Sequence, residues 1–149
     1  MIQEYVARAQ AAQAIIAQYD QETIDSIVRA IARYVYDNAA PLAKMAVEET
    51  RMGVYEDKVA KNQGKSRIIW NALKGKKSRG VLRVLEQDGL IEIAKPMGVV
   101  AAVTPCTNPI VTPMCNAMFA IKAGNAVIIA PHPRAKKCAV ELDRAFRGI

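Results

Sequence analysis

The sequence predicts an α/β protein in which a layer of helices precedes a β-hairpin and the opening of a parallel sheet. Residues 1–73 carry apolar side chains at helical spacing, which indicates amphipathic helices. Residues 81–94 hold two short β-rich runs around an Asp-Gly pair, a pattern typical of a hairpin. Two continuous apolar runs, at 99–103 and 126–130, are each followed by a helical segment. This β-α-β-α order predicts buried parallel strands.

The N-terminal layer contains predicted helices over about residues 2–18, 21–38, 41–52 and 56–73. The second is the clearest, because its apolar residues fall on one buried stripe. These residues are Ile24, Ile27, Val28, Ile31, Ala32 and Val35. Asp20 is its expected N-cap. The third helix has Pro41 in its first turn and is expected to end at Gly53.

The second half of the chain changes to strands and tight turns. The predicted elements are hairpin strands at 81–85 and 90–94, a strand at 99–103, a helix from Pro109 or Pro113 to Lys122, a strand at 126–130 and a helix at 135–146. Gly124 is expected to close the first of these helices. The order matches the first β-α-β-α of a Rossmann-like sheet. It divides the chain into predicted domains at 1–95 and 96–149.

Composition and charge exclude several classes of protein. The net charge is +7, from 21 basic and 14 acidic residues, with the excess in 61–83 and 134–137. Aromatic residues are only 5% and do not alternate with the basic ones, so no nucleic-acid partner is expected. No apolar run approaches the ~20 residues of a membrane span, and no secretory signal precedes the first helix, which predicts a cytoplasmic protein without membrane contact. Cys115 and Cys138 are expected to pack in helices, and His132 is the single histidine, so no metal site is predicted.

The most informative segment runs from Lys95 to Pro109, with the sequence K-P-M-G-V-V-A-A-V-T-P-C-T-N-P. It predicts a strand that ends in a polar, proline-bracketed turn and opens directly onto a helix. An α/β fold binds a nucleotide phosphate or an oxyanion at such a position, because free backbone N–H groups and the helix dipole point there.

Four stretches of the chain carry a family resemblance. They are L-A-K-M-A-V-E-E-T-R-M-G at 42–53, E-D-K-V-A-K-N at 56–62, P-M-G-V-V with P-C-T-N-P at 96–100 and 105–109, and N-A-V-I-I-A-P-H-P-R-A-K at 125–136. In this order they resemble the aldehyde dehydrogenase superfamily over essentially the whole chain. The P-H-P-R-A-K string points to its CoA-acylating branch, which includes propionaldehyde dehydrogenases and the aldehyde half of bifunctional aldehyde–alcohol dehydrogenases.

The resemblance implies a reversible reaction in which an aldehyde, CoA and NAD give an acyl-CoA and NADH. In the family a cysteine thiolate attacks the aldehyde, and this cysteine lies well beyond the position of residue 149. The 149 residues alone are therefore expected to be inactive. The resemblance also implies a homo-oligomer that binds NAD and takes CoA and a small aldehyde as its molecular partners. Pro133 and Arg134 would also tolerate NADP.

The turn at the end of the first parallel strand would bind cofactor through Thr104, Pro105, Cys106 and Thr107. The family has a Pro-Trp-Asn-Phe-Pro turn at this position, and its asparagine amide binds the oxyanion. When this turn is aligned with residues 105–109 without gaps, the asparagine corresponds to Thr107. A shift by one residue makes it correspond to Asn108. Asn108 has a second interpretation, as the N-cap of the next helix with Pro109 at N1, and the two roles are compatible. Cys106 stands in place of the family's tryptophan.

The second site segment would hold the adenosine ribose, through Pro131, His132, Pro133 and Arg134. Ordinary members have a glutamate there that grips the ribose hydroxyls, and it aligns with Pro133. Arg134, with the lysines after it, adds donors suited to a phosphate such as the 3′-phosphate of CoA. The alternative is that these cations only begin a surface helix.

Two other functions remain open from the sequence. The chain could be a nucleotide-binding module for NAD or CoA without chemistry. It could also be a truncated paralogue that acts through assembly with itself or with a complete enzyme. Two parallel strands leave open sheet edges, which weighs against a stable isolated module.

Overall fold

The computed structural model describes residues 2–149, and its helical layer follows the predicted order. The helices are α1 (Ile2–Ile16), α2 (Gln21–Asp37), α3 (Ala39–Thr50) and α4 (Tyr55–Leu73). Asp20 caps α2 as predicted, since its carboxylate accepts a hydrogen bond from the Thr23 N–H at 2.8 Å. Arg51, at φ 57°, ends α3 two residues before the predicted Gly53. No helix between residues 2 and 149 combines the length and the apolar character needed to cross a membrane.

The predicted hairpin is formed by β1 (Gly80–Leu85) and β2 (Leu90–Ala94), which pair antiparallel. A 3₁₀ turn over Glu86–Asp88 joins them, and Gly89 closes it at φ 64°, a conformation that favours glycine. Most of its large apolar side chains are exposed, namely Val81, Val84, Leu90, Ile91 and Ile93. The hairpin therefore projects away from the core.

The parallel unit has the predicted β-α-β-α order. It consists of β3 (Val99–Thr104), α5 (Val111–Lys122), β4 (Ala126–Pro131), a 3₁₀ turn at Pro133–Ala135 and α6 (Lys136–Phe146). The two strands are parallel neighbours, in a register that runs from Val99 opposite Ala126 to Thr104 opposite Pro131. Parallel strands need a crossover connection, which α5 supplies. Both strands consequently end at the same edge of the sheet.

The start of α5 corrects one prediction. The helix begins at Val111, between the predicted starts at Pro109 and Pro113. Asn108 is not its side-chain N-cap, because its carboxamide oxygen accepts a hydrogen bond from Lys61 Nζ at 3.1 Å. Lys61 lies 47 residues earlier, so no local pattern could have revealed this competing partner.

One hydrophobic core joins the helical layer to the parallel unit. Its fully buried members include Ile24, Val28, Ile31 and Val35 of α2, Met114 and Met118 of α5, and Cys138 and Leu142 of α6. Trp70 of α4 packs against this core, and so does Ile27, which is only partly buried. The division at residue 95 stays a prediction, and residues on both sides of it share this core.

Polar contacts fasten the hairpin and α5 to the helical layer. Arg79, just before β1, donates hydrogen bonds to the carbonyl oxygens of Ile16 at 3.0 Å and Ala17 at 2.6 Å. The buried ammonium of Lys122 pairs with the Asp25 carboxylate of α2 at 2.5 Å. These contacts fix where α5, and therefore the strands it connects, sit against α2.

A pair of substitutions on α6 tests how this helix packs. Leu142 is 1% exposed, whereas Val140, two residues earlier, is 67% exposed. Leu142→Ala should lower the free energy of unfolding by about 2–5 kcal/mol, because it leaves a cavity in the core. Val140→Ala should change it by less than about 0.5 kcal/mol. Urea denaturation of both variants measures the difference, and equal effects would contradict the packing of α6.

Candidate functional site

The two segments predicted to bind cofactor meet at one edge of the parallel sheet. Thr104, at the end of β3, lies opposite Pro131, at the end of β4. The His132 N–H donates a hydrogen bond to the Thr104 carbonyl oxygen at 3.0 Å, which ties the two turns together. The structure thus brings the turn at 105–109 next to the basic segment that begins α6.

The turn after β3 presents unpaired backbone donors. The N–H groups of Cys106, Thr107 and Asn108 donate to no acceptor within residues 2–149. The Asn108 carbonyl oxygen accepts from the Thr112 N–H at 3.2 Å, which joins the turn to the first turn of α5. Free N–H groups at a helix N-terminus attract an anion or a developing oxyanion. Binding of an oxyanion by this turn, through Thr107 or Asn108, stays a prediction.

Two lysines of α4 reach this turn. Lys58 Nζ donates to the Thr107 carbonyl oxygen at 3.1 Å, and Lys61 Nζ donates to Asn108 Oδ1 at 3.1 Å. The side chain of Lys58 is buried, and burial, followed by the nearby charge of Lys61, lowers the pKa of its ammonium. Sequence analysis did not assign either lysine to the site. Their i, i+3 spacing shows that they share a helix face, but nothing in it identifies the turn they contact.

The cysteines have different environments. Cys106 is half-buried in the turn, with its Sγ 3.6 Å from the Met52 sulfur. Cys138 is fully buried, and burial together with the Glu49 carboxylate raises its pKa to about 12. Burial also raises the pKa of Cys115. A nucleophilic thiol needs a lowered pKa, so the environments of Cys115 and Cys138 favour packing roles.

The segment after β4 is held against α3. His132 Nδ1 accepts a hydrogen bond from the Arg134 N–H at 3.1 Å. The Arg134 guanidinium donates to the Thr50 carbonyl oxygen at 2.5 Å, at the end of α3. An arginine has five N–H donors, so this contact fixes the group in place and leaves others for a phosphate. Arg134 is therefore both a structural contact and a candidate ligand.

Glu49 of α3 occupies the N-terminus of α6. Its carboxylate accepts hydrogen bonds from the N–H groups of Lys137 at 2.7 Å and Cys138 at 2.9 Å. Partial burial raises the pKa of Glu49, but these hydrogen bonds and the charge of Lys137 outweigh it and lower the pKa. The Glu49 carboxylate already occupies the amides at the N-terminus of α6. A ligand phosphate at this position would therefore be bound by basic side chains.

Beside β4 lies a groove of about 820 Å³, lined mainly by apolar residues of α1, β4, α5 and α6 and including Pro131 and Lys136. Its size is in the range of small-molecule sites. A smaller cavity of about 270 Å³ lies between the start of α4 and Thr107. Within residues 2–149, no cluster of three or more His, Cys, Asp or Glu side chains is placed to hold a metal ion.

The chain is similar in sequence to known proteins. The sequence profile of the aldehyde dehydrogenase family matches residues 1–149. The chain is 56% identical over 136 residues to the acetylating succinate-semialdehyde dehydrogenase of Clostridium kluyveri, a match that covers 91% of this chain and 30% of the relative.

Solved structures give the same result. An acetylating aldehyde dehydrogenase from Geobacillus thermoglucosidasius matches with a TM-score of 0.94 and 40% identity, over 99% of this chain and 32% of that one. Propionaldehyde dehydrogenase from Rhodopseudomonas palustris, solved with bound CoA and an acylated cysteine, matches with a TM-score of 0.81 and 30% identity, over 99% and 34%. The chain thus spans about a third of the length of these proteins.

The carboxylate of Glu49 gives a pH-dependent prediction. Glu49→Gln should lower the free energy of unfolding at pH 7 by about 1 kcal/mol, because it removes a negative charge from the N-terminus of α6. Since the folded-state pKa is lowered, this contribution is present above the unfolded glutamate pKa of about 4.3 and is lost as pH falls through the lower folded value.

Chemical denaturation between pH 3 and 7 measures this difference. The matched control is Glu48→Gln, because Glu48 is exposed and its Lys44 partner is 4.0 Å away. The control should change stability by less than about 0.5 kcal/mol at any pH. A Glu49 effect no larger than the Glu48 effect would contradict the assigned contact.

Thiol labelling tests the cysteine environments. In the native chain at pH 8, iodoacetamide should modify Cys106 first and Cys115 more slowly, whereas Cys138 should react only after denaturation. Peptide mass spectrometry at successive times measures each rate. Native-state modification of Cys138 as fast as that of Cys106 would show that α6 does not pack as described.

Proposed function

The chain belongs to the aldehyde dehydrogenase family, and we propose that it forms the N-terminal, cofactor-binding part of a CoA-acylating member. The reaction would convert an aldehyde, CoA and NAD into an acyl-CoA and NADH. The observation that carries the proposal is the meeting of two features at one sheet edge. One is the turn with free N–H groups at 106–108, and the other is the basic segment at 131–137.

The turn at 106–108 would stabilise the negative oxygen that forms when a thiolate attacks the aldehyde carbonyl. Preorganised donors aimed at such an oxygen are a large source of catalysis in acyl transfer, worth about 10²–10³-fold per donor. Thr107 and Asn108 are the candidates, through their backbone N–H groups and the Asn108 carboxamide. Thr104, Pro105 and Cys106 would line the cofactor beside them.

The basic segment would bind the adenosine end of NAD and of CoA. Pro131, His132 and Pro133 would lie under the ligand, while Arg134, which already contacts His132 and Thr50, would offer its remaining N–H groups to a ribose phosphate. The absence of a carboxylate at Pro133 favours tolerance of NADP as well. The neighbouring groove at Pro131 and Lys136 offers apolar surface for a purine ring.

The thioester chemistry would be carried by a cysteine other than the three in this chain. The environments of Cys115 and Cys138 disfavour a thiolate, and Cys106 occupies the cofactor turn. NAD, when bound, supplies the hydride acceptor. The residues of this chain would bind and orient the cofactor and hold the oxyanion. We therefore expect the 149 residues to bind ligands without turnover.

A role in assembly is the second candidate function. The exposed apolar side chains of the hairpin would be covered in a homo-oligomer, and their number supports an oligomeric state. A non-catalytic partner that joins a complete enzyme through this hairpin would use the same surface. Size-exclusion chromatography of the chain, with and without Val84→Lys and Ile91→Lys, measures that contribution.

Titration with CoA and dephospho-CoA tests the proposed adenosine site. These ligands differ only in the 3′-phosphate. The chain should bind CoA about tenfold more tightly, and Arg134→Ala should remove most of this difference because it deletes a charged donor to the phosphate.

The control for this titration is Arg33→Ala, an exposed arginine of α2 whose partner is Asp37. It should leave the CoA preference unchanged. Isothermal titration calorimetry measures the affinities, and NADH is titrated in parallel. Equal affinity for CoA and dephospho-CoA in the wild-type chain would contradict the assignment of Arg134, and binding of none of the three ligands would contradict the site itself.

A further inference from the structure

Two lysine ammonium groups of α4 donate hydrogen bonds to the turn at 106–108, which would hold the oxyanion. Lys58 contacts the Thr107 carbonyl oxygen and Lys61 contacts the Asn108 carboxamide oxygen, both at 3.1 Å. Together with the Asn108 carbonyl bond to the Thr112 N–H, they hold the Thr107–Asn108 unit at three points. α4 therefore determines how this unit is oriented.

The chemistry of each contact determines which atoms remain available. An ammonium only donates hydrogen bonds, so Lys61 requires the Asn108 oxygen to face it. Of the two carboxamide N–H donors, one is directed to Thr107 Oγ1 at 3.5 Å, and the other is left to donate elsewhere. In a trans peptide the C=O and the following N–H point in opposite directions. When Lys58 holds the Thr107 carbonyl, the Asn108 N–H therefore points away from α4. The Asn108 N–H and one carboxamide N–H are thus left for a ligand that the turn could bind.

Burial of the Lys58 side chain has a free-energy cost that packing alone does not explain. The residue is only 7% exposed, and lysine is rarely buried without a partner. The Lys58 side chain also lies close to Gly53, since a Cβ at position 53 would be 2.9 Å from Lys58 Cε. Gly53 has φ 81°, so glycine both permits this backbone and leaves room for the lysine.

We propose that Lys58 and Lys61 are positioning residues that orient the Asn108 N–H and carboxamide NH₂ toward the aldehyde oxygen, with Gly53 admitting the Lys58 side chain. This inference rests on the proposed function for the identity of the ligand. The lysines do not touch substrate. They act through the Thr107–Asn108 unit, by holding its acceptors so that its donors face the reacting carbonyl.

The first test is spectroscopic and needs no turnover. In a nitrogen-15-labelled chain, Lys61→Met should shift the carboxamide resonances of Asn108, and Lys58→Met should shift its backbone N–H resonance. Lys65→Met is the matched control, because Lys65 is exposed on the same helix and makes no hydrogen bond among the described residues. It should move neither signal. Unchanged Asn108 resonances in both of the first two variants would overturn the proposed positioning of Asn108 by Lys58 and Lys61.

The second test is kinetic, in a catalytically complete enzyme that carries these residues. Lys58→Met should lower kcat of the acylating reaction by about 10- to 100-fold while KM for NAD changes by less than about twofold. Lys58→Arg, which keeps a donor, should recover part of the loss. A parallel loss of kcat and NAD affinity, or an unchanged kcat, would overturn the positioning role.

A glycine pair keeps the inference testable if the lysine variants fail to fold. Gly53→Ala and Gly75→Ala impose similar backbone strain, since Gly75 has φ 72°, but a Cβ at Gly75 meets nothing within 4 Å. Only Gly53→Ala should shift the Asn108 resonances and reduce kcat. Equal behaviour of the two would overturn the proposal. A wild-type enzyme without acylating turnover would instead refute the proposed function. The Asn108 resonances would still show whether Lys58 and Lys61 position this residue.

Discussion

The parallel pairing of β3 with β4 is the constraint on which the rest of this structure depends. Its register sets Thr104 opposite Pro131, and the His132 N–H bond to the Thr104 carbonyl oxygen continues the pairing into the turns. Parallel strands end at the same edge, so two segments 27 residues apart in sequence become one site. The crossover helix α5 also places its own N-terminus at that edge.

The helical layer does more than cover the sheet. α3 supplies the Glu49 carboxylate to the N-terminus of α6 and the Thr50 carbonyl oxygen to Arg134, while α4 supplies Lys58 and Lys61 to the turn. Each contact joins the layer to one of the two turns. Because the layer and the parallel unit share one core, these polar contacts are held at fixed distances, as a preorganised site requires.

Much of this organisation could be predicted from sequence. The α2 stripe, the Asp20 cap, the Asp-Gly hairpin and the positions of the two parallel strands follow from local periodicity and turn chemistry, and the structure confirms them within a few residues. The predicted burial of these strands is wrong, because the two-stranded sheet leaves much of its surface uncovered: only Ala102, Thr104 and Ala126 are buried, and Val103 is 84% exposed. The position of the turn at the end of β3 was predictable for the same reason. Asn108 shows where local reasoning fails, because a competing partner 47 residues away changes the role of its side chain.

The sequence by itself determined the elements and their order, which follow from spacing along the chain, and the family, which it resembles in four motifs. Only the tertiary structure decided which donors the site leaves free. Glu49 fills the amides of α6, whereas Lys58 and Lys61 leave those of the turn after β3 open. The physical reason is that a hydrogen bond depends on distance and direction in space, and packing of the helical layer against the sheet sets both.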